Sequence, residues 1–474
     1  MDDVTSKVLK SFSQFLSGLE TKIKEKGNSS LLASFASPLT GYAFKEKLGV
    51  LKKHFERSFY FEKPSDGIAF LGLDEVVVVS ENGEGRFAAT DKKTREWKVN
   101  FVNNWDDFSL EKIPLFLGGM KFSTGHNDDE WQDFDDSSWF IPEILLLYKK
   151  DEQFLFYNSV FSPNTSKDSL IKKFTSKLDK LKNLDSASVQ NTAPKILSSE
   201  GNSPKDKKKW KNLVSEGLEK INENQLEKIV LSRKVELKLS DSPDFNFIIT
   251  KLRKLYPECY LFNFHRGRSS FFGATPEKLA AFSKGMVEID ALAGSAPRGK
   301  TTDEDILLEK ELLSDKKNLN EHNIVIDYIK SALTRFSDKV NLENKYSIKK
   351  LANIQHIWTK ISAGLNSKNI IFILLKELYP TPAICGTPKE TALHLIKKME
   401  GYKRGLYSGI IGWFNFEDEG EFAVALRSAL YTSNKLIAYA GCGIVPDSDP
   451  ELEYKETELK LKTIMSLFAD ENKN

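Results

Sequence analysis

Two side chains of opposite acid–base character are the first candidates for chemistry in this sequence. Lys228 opens the run KIVLSRKVELKL, in which apolar and polar residues alternate as in a half-buried strand. A lysine there is either a solvated strand end or a buried amine, and burial favours the neutral form that can act as a base. Glu277 follows Pro276 at what reads as a strand-to-helix turn. An acid in that place is either a first-turn residue favoured by the helix dipole or a proton donor. A lysine and a glutamic acid in divergent environments are what a reaction needs when one proton must be removed and another supplied.

A second group is acidic. Glu453, Glu456 and Lys460 stand at i, i+3 and i+7, so a helix would put all three on one face. Two carboxylates one turn apart either decorate a charged surface or bring oxygens to one hard cation. Glu321, beside His322 on another helical stretch, has the same two readings. Arg427 lies inside the apolar run FAVALRSAL. A buried arginine is costly unless paired, so it either makes a structural ion pair or grips a ligand carboxylate through two parallel hydrogen bonds. His356 on its own reads as a core histidine, and the six histidines show no HExxH or similar metal spacing.

These residues need a large framework to bring them together. The chain has 474 residues, 40% hydrophobic and 11% aromatic with 32 Phe, enough for one large core or two smaller ones. With 69 Lys+Arg against 67 Asp+Glu the net charge is +2, which argues against a nucleic-acid binder. Three scattered cysteines, Cys259, Cys385 and Cys442, suggest neither a disulfide framework nor a thiolate metal site. The N-terminal MDDVTSKVLKSFSQF lacks the basic and apolar regions of a secretory leader, and no apolar run approaches the roughly 20 residues of a membrane span. A cytoplasmic protein without a membrane partner is expected.

Strand signals in the first third are GIAFLG from Gly67, EVVVVS from Glu75, PLFLGGMKF from Pro114 and WFIPEILLLY from Trp139. Gly118-Gly119 marks a bulge or a close backbone approach. From Phe174 to Lys209 the composition turns to Lys, Ser, Asn and Asp, and this is the expected linker or surface loop, between a divergent N-terminal half (1–173) and a catalytic region (210–474). The linker's PKDKKKW could touch a phosphate but reads more simply as a solvated face. Further strands are expected at Tyr260–His265, Glu288–Leu292, Asn353–Ser362, Gly409–Phe414 and Phe422–Tyr431. One long helix should open at Thr302 and Asp305 and continue past Glu321, and another at Asp449 and Pro450. Clustered strands without βαβ alternation predict an α+β fold, with large antiparallel sheets as a sandwich-like core and helices outside.

Eight segments then occur in an order that resembles the chorismate-utilising enzymes: KIVLSR (Lys228 to Arg233), FGATPEKL (Phe272 to Leu279), ALAGSAPRG (Ala291 to Gly299), NIQHIWTKISAGL (Asn353 to Leu365), YPTPAICGTP (Tyr379 to Pro388), RGLYSGIIGW (Arg404 to Trp413), EFAVALRSAL (Glu421 to Leu430) and AGCGIVPDSDPELEYKET (Ala440 to Thr457). This resemblance implies Lys228 as the base that activates water and Glu277 as the general acid for the departing hydroxyl. It implies Glu321 and Glu456 as Mg²⁺ ligands, with Glu453 acting through water. Tyr407 and Arg427 would hold a substrate carboxylate, near Gly441, Gly443 and Lys460, while Gly294, Ser295 and His356 would line the ring pocket.

Within the family, the resemblance separates the reactions by nucleophile. Aminodeoxychorismate synthases of the common type carry a lysine where this chain has Ala293, and anthranilate synthases usually have glutamine in place of Lys228. The combination implies water attack at C2 of chorismate, loss of the C4 hydroxyl and isochorismate as product. Salicylate synthases, which go on to eliminate pyruvate, are the alternative, and a non-catalytic chorismate binder is a third reading. A monomer with no glutaminase subunit is expected, whether the product serves menaquinone, a siderophore or salicylate. Two departures stand out: Asn318, one turn before Glu321, is neutral where some relatives have an acid, and Cys442 sits between two pocket glycines where Ala is common.

Overall fold

The structure, a computed structural model, describes residues 2–25, 29–39, 55–125, 129–183, 193–351 and 354–468. Two sheets organise them. The larger, of 13 strands, runs in spatial order from Ile196–Glu200 through Lys228–Leu239, Lys435–Ile444, Ser428–Thr432, Ser269–Thr275 and Tyr260–Arg266. It continues into Arg57–Lys63, Ile68–Leu73, Ile144–Lys149, Glu152–Phe161, Leu31–Pro38 and Phe101–Asn103, with Gly386–Thr387 paired to the side of Lys228–Leu239. The smaller, of nine strands, begins at Val340–Lys350 and Ile354–Gly364 and ends at Ser137–Ile141 and Val77–Glu81. Pairing is antiparallel throughout, except for Leu31–Pro38 against Phe101–Asn103. The fold is α+β, as expected.

Both sheets are shared between the two halves of the chain. In the larger sheet Arg57–Lys63 pairs with Tyr260–Arg266, and in the smaller Phe116–Met120 pairs with Ile410–Phe414. The phenylalanines close the space between the sheets: Phe116 stacks on Phe414 at 4.7 Å, and Phe59, Phe61, Phe70 and Tyr260 form a stacked and tilted run. A second cluster lies on the other face of the larger sheet, where Phe12, Phe35, Tyr157 and Phe174 pack edge to face under the helices Asp2–Glu25 and Lys167–Asn183. Gly118 and Gly119 are a close approach: a Cβ on Gly118 would lie 2.0 Å from the Ser138 carbonyl oxygen.

Several expected elements are re-cut by the tertiary structure. The stretch 174–209 is not a plain linker. Its start finishes the helix Lys167–Asn183, Ile196–Glu200 is an edge strand, and the helix Pro204–Asn222 begins inside the lysine run, under a Ser203/Asp206 capping box. Residues 184–192 of that stretch lie outside the described residues. WFIPEILLLY is two strands, because Pro142 breaks the ladder and the chain crosses from the smaller sheet to the larger one. The helix expected at Thr302 is capped one residue earlier, by Thr301. It stops at Ser314, because Asp315 caps a new helix, Lys316–Leu333. Asp305 is no capping-box acid: it takes Arg298 in a two-pronged ion pair at 2.7 and 2.9 Å. The helix Pro450–Met465 starts at its Asp449 cap, as read.

Candidate active site

One cavity opens where the two sheets meet the helices Lys316–Leu333 and Pro450–Met465. Of the residues singled out in the sequence, Glu277, Gly294, Ser295, Glu321, His356, Tyr407, Arg427, Gly441, Gly443, Glu453, Glu456 and Lys460 all line it. Lys228 lies just behind that wall, fully buried, and donates a 2.7 Å hydrogen bond to Glu321 Oε1. The two are 93 residues apart in sequence. Gly443 is what lets them meet: a Cβ there would lie 2.8 Å from both Lys228 Cε and Glu321 Oε1. Gly443→Ala should therefore displace this pair. The expected result is a fall in turnover of about 10²-fold, the scale of an ångström-level misplacement of reacting groups, with a cooperative melt retained. Steady-state kinetics and circular dichroism check both.

Glu277 is not at the start of a helix. It sits in the turn between the strands Ser269–Thr275 and Lys278–Ser283, 5% exposed. Burial pushes its carboxyl up to about 7, against the pull of the Lys228 and Lys460 charges. At neutral pH it is thus poised to give a proton. No helix dipole is needed to explain it.

Three other acids facing the cavity each carry a lysine. Glu321 is bonded to Lys228, Glu453 to Lys317 at 3.1 Å and Glu456 to Lys460 at 2.6 Å. Burial works to raise the Glu321 pKa, yet the Lys228 charge outweighs it and holds the carboxyl low. Burial and the neighbouring Glu456 raise Glu453. Among the described residues no group of three or more His, Cys, Asp and Glu side chains converges closely enough to hold a metal. Separated carboxylate oxygens on one cavity wall fit Mg²⁺ in a different way, since that ion takes one or two carboxylates and completes its shell with water and ligand oxygen. Lys317 was missed in the sequence, although its position four residues before Glu321 on a helix was legible.

The opposite wall is built to receive an anion. The run FAVALRSAL is not one strand: Gly420–Val424 belongs to the smaller sheet and Ser428–Thr432 to the larger, and Arg427 stands between them with φ 48°. No acid pairs with Arg427 among the described residues, so the structural ion pair is not formed. Its Nη2 donates to His356 Nε2 at 2.7 Å, while its Nη1 is buried without a hydrogen-bond partner among the described residues. Because a guanidinium only donates, His356 Nε2 must accept, and the ring proton belongs on Nδ1, which donates to Ser295 Oγ at 2.8 Å. Burial and the Arg427 charge hold His356 neutral, well below the ordinary histidine range. Ser295 reaches His356 because a bulge follows Ala293, where Gly294 takes φ +78°. Tyr407 stacks on Tyr439 at 5.0 Å, and burial raises its phenol to about 12, so it remains a donor.

Asn318 holds this wall from the helix side, its side-chain oxygen accepting from the Ser295 amide at 3.3 Å. Cys442 is buried and its thiol points to the Glu453 carbonyl, as a small apolar residue would. Arg404 was also missed as a site element. It donates to the carbonyls of Val230 and Ile384, both of which line the cavity, and is neutralised by Glu400. Asn353, in one of the resemblance segments, lies outside the described residues.

A family model described as chorismate binding enzyme matches residues 16–469. The chain is 30% identical over 433 residues to the isochorismate synthase MenF of Bacillus subtilis, covering 89% of this chain and 90% of the relative. It is 32% identical over 411 residues to the salicylate biosynthesis isochorismate synthase of Pseudomonas aeruginosa, covering 86% and 84%. The structure of MenF, the menaquinone-specific isochorismate synthase from Escherichia coli, superposes with a TM-score of 0.77 at 20% identity, over 96% of this chain and all of that one, a likeness of fold. Component 1 chains of anthranilate synthase also match. No helix among the described residues is long and apolar enough to cross a membrane.

Proposed function

Since the chain belongs to the chorismate-binding enzyme family, we propose that it is an isochorismate synthase, an isomerase that adds water at C2 of chorismate and expels the C4 hydroxyl. The observation that carries this reading is the pair of buried groups at one cavity, Lys228 behind Gly443 and the protonatable Glu277. Ala293 lines the same cavity and offers no competing amine.

In this mechanism Arg427 donates from Nη1 to a substrate carboxylate, oriented by His356 and joined by the Tyr407 hydroxyl. Lys228, which must be the neutral amine when it acts, would remove a proton from the attacking water, and Glu277 Oε would supply one to the departing hydroxyl; each proton moves to or from a named side chain, so the two steps balance. The Tyr407–Tyr439 stack and the Leu292 side chain keep bulk water off the ring. Glu321 and Glu456, with Glu453 through water, would hold Mg²⁺, which when bound supplies charge stabilisation to the substrate's carboxylate. Lys460, bonded to the Gly441 carbonyl at 2.9 Å, keeps Glu456 in place.

The experiment is product analysis by NMR after incubation of the purified protein with chorismate and Mg²⁺, repeated with EDTA. Isochorismate in equilibrium with chorismate is expected, lost on chelation and restored by added Mg²⁺. Salicylate with pyruvate would move the protein to the lyase branch, and absence of any turnover would leave a binding protein. The relatives named isochorismate synthase support the first outcome. Full activity in EDTA would remove the metal from the reading.

A further inference from the structure

A second cavity lies on the far side of Arg404 from the first. It is walled by the start of the helix Arg86–Lys98, the segment after the strand Phe116–Met120, the helix Lys389–Met399 and the turn that leads to Arg404. Six basic side chains against three acidic ones face it, and one of the acids, Glu400, is already neutralised by Arg404. Arg86 is the most telling of the six. It is only 6% exposed, and among the described residues its Nε has no hydrogen-bond partner and its guanidinium makes one hydrogen bond, a long 3.4 Å contact to the Lys121 carbonyl. A buried guanidinium in that condition is costly unless an anion completes it.

Two further features point the same way. The helix begins at Gly85 with no side-chain cap; the Arg86 amide donates to the Gly83 carbonyl, and the positive end of the helix dipole lies beside this cavity, which Arg86 and Phe87 line. Rings of Phe87, Phe122 and Tyr379 supply flat apolar surface beside the cations. Lys389, whose pKa burial lowers, reaches only the Tyr379 carbonyl among the described residues.

From Arg86, the cation excess and the rings, we propose that this cavity is a second binding site, for a small aromatic carboxylate. The carboxylate would sit on the Arg86 guanidinium beside the positive end of the helix dipole, with Lys397 and Lys403 closing over it and its ring against Phe87 and Phe122. The site is distinct from the substrate cavity but shares Arg404 with it: that guanidinium lies 4.4 Å from the Phe122 ring while donating to the carbonyls of Val230 and Ile384.

The test is calorimetric titration of benzoate into the whole protein, beside inorganic phosphate as a ring-free anion. Arg427→Gln blunts the carboxylate grip of the first cavity, and a Lys397→Glu/Lys403→Glu double variant reverses two charges at the rim of the second. Both lysines lie outside the core, so the fold should survive, and Arg86→Gln is added if its melt is cooperative. The expected result is a benzoate event that Arg427→Gln retains and the double variant weakens at least ten-fold. The proposal is overturned if Arg427→Gln removes all benzoate binding while the double variant leaves it intact. It is equally overturned if no benzoate event is seen, or if phosphate binds as tightly as benzoate.

Discussion

Lys228→Ala is expected to lower kcat by roughly 10³-fold, within the range attributed to a positioned general base, while chorismate binding persists. The side chain is fully buried and lies behind the cavity wall rather than in it, so its loss opens space without removing a group that grips the carboxylate. Binding should fall on Arg427, His356 and Tyr407, which are untouched. A structural role must be separated from a chemical one, because Lys228 also holds Glu321. Lys228→Arg makes the separation: a guanidinium can keep the ion pair but cannot give up its proton near neutral pH. The base reading requires both variants to be inactive, with chorismate affinity measured by calorimetry. Near-normal turnover in Lys228→Ala would remove Lys228 as the base, and recovery in Lys228→Arg would make it a counter-ion for Glu321.

Glu277→Gln should cost about 10²- to 10⁴-fold in kcat, since an amide cannot protonate a leaving hydroxyl. It should also flatten two pH dependences, one of activity and one of stability. Burial holds the Glu277 carboxyl at about 7, so the acid form prevails below that pH and is lost above it. In the native enzyme kcat/KM should therefore decline on the alkaline side with a midpoint near 7, and the residual activity of the variant should lack that limb.

Stability follows the same group. A carboxyl whose pKa is raised in the folded state contributes stability below its unfolded value, and that contribution fades as pH rises through the folded value. From the ordinary 4.5 to about 7 this amounts to about 3 kcal/mol lost between those pH values. Glu277→Gln avoids the loss. At pH 8 the variant should melt roughly 3 °C above the native protein, the scale expected for a chain of this size, and at pH 5 the difference should shrink toward zero. A variant less stable than the native protein at pH 8 would show that the buried carboxylate is better solvated than this account requires.

Much of the architecture can be followed in the sequence because its signals are local. Alternation marked the strand from Lys228, the Asp449-Pro450 pair marked the start of the last helix, and the spacing of Glu453, Glu456 and Lys460 put them on one face. The ordered motifs pointed to the family, and the residues drawn from them gather at one cavity. Failures came where a run was apolar on both faces. WFIPEILLLY and FAVALRSAL each read as one strand, since a segment buried on both sides has no alternation to show where it changes sheet. The linker was misread because its helices are amphipathic and polar on their outer faces, which lowers the apolar content by which elements are recognised.

What the sequence determined by itself, then, was the identity of the candidate groups and, for the Lys228 strand and the last helix, their local setting. The tertiary structure decided their state. Lys228 meets Glu321 only because two strands and a helix converge at a glycine, and Glu277 rises to about 7 only because the turn that carries it is shut between sheets. Arg427 is left with an open donor because the chain changes sheets on either side of it. Periodicity is a property of neighbours along the chain. Proton affinity and unpaired hydrogen-bonding capacity depend on neighbours in space, and those are set by how the sheets cross.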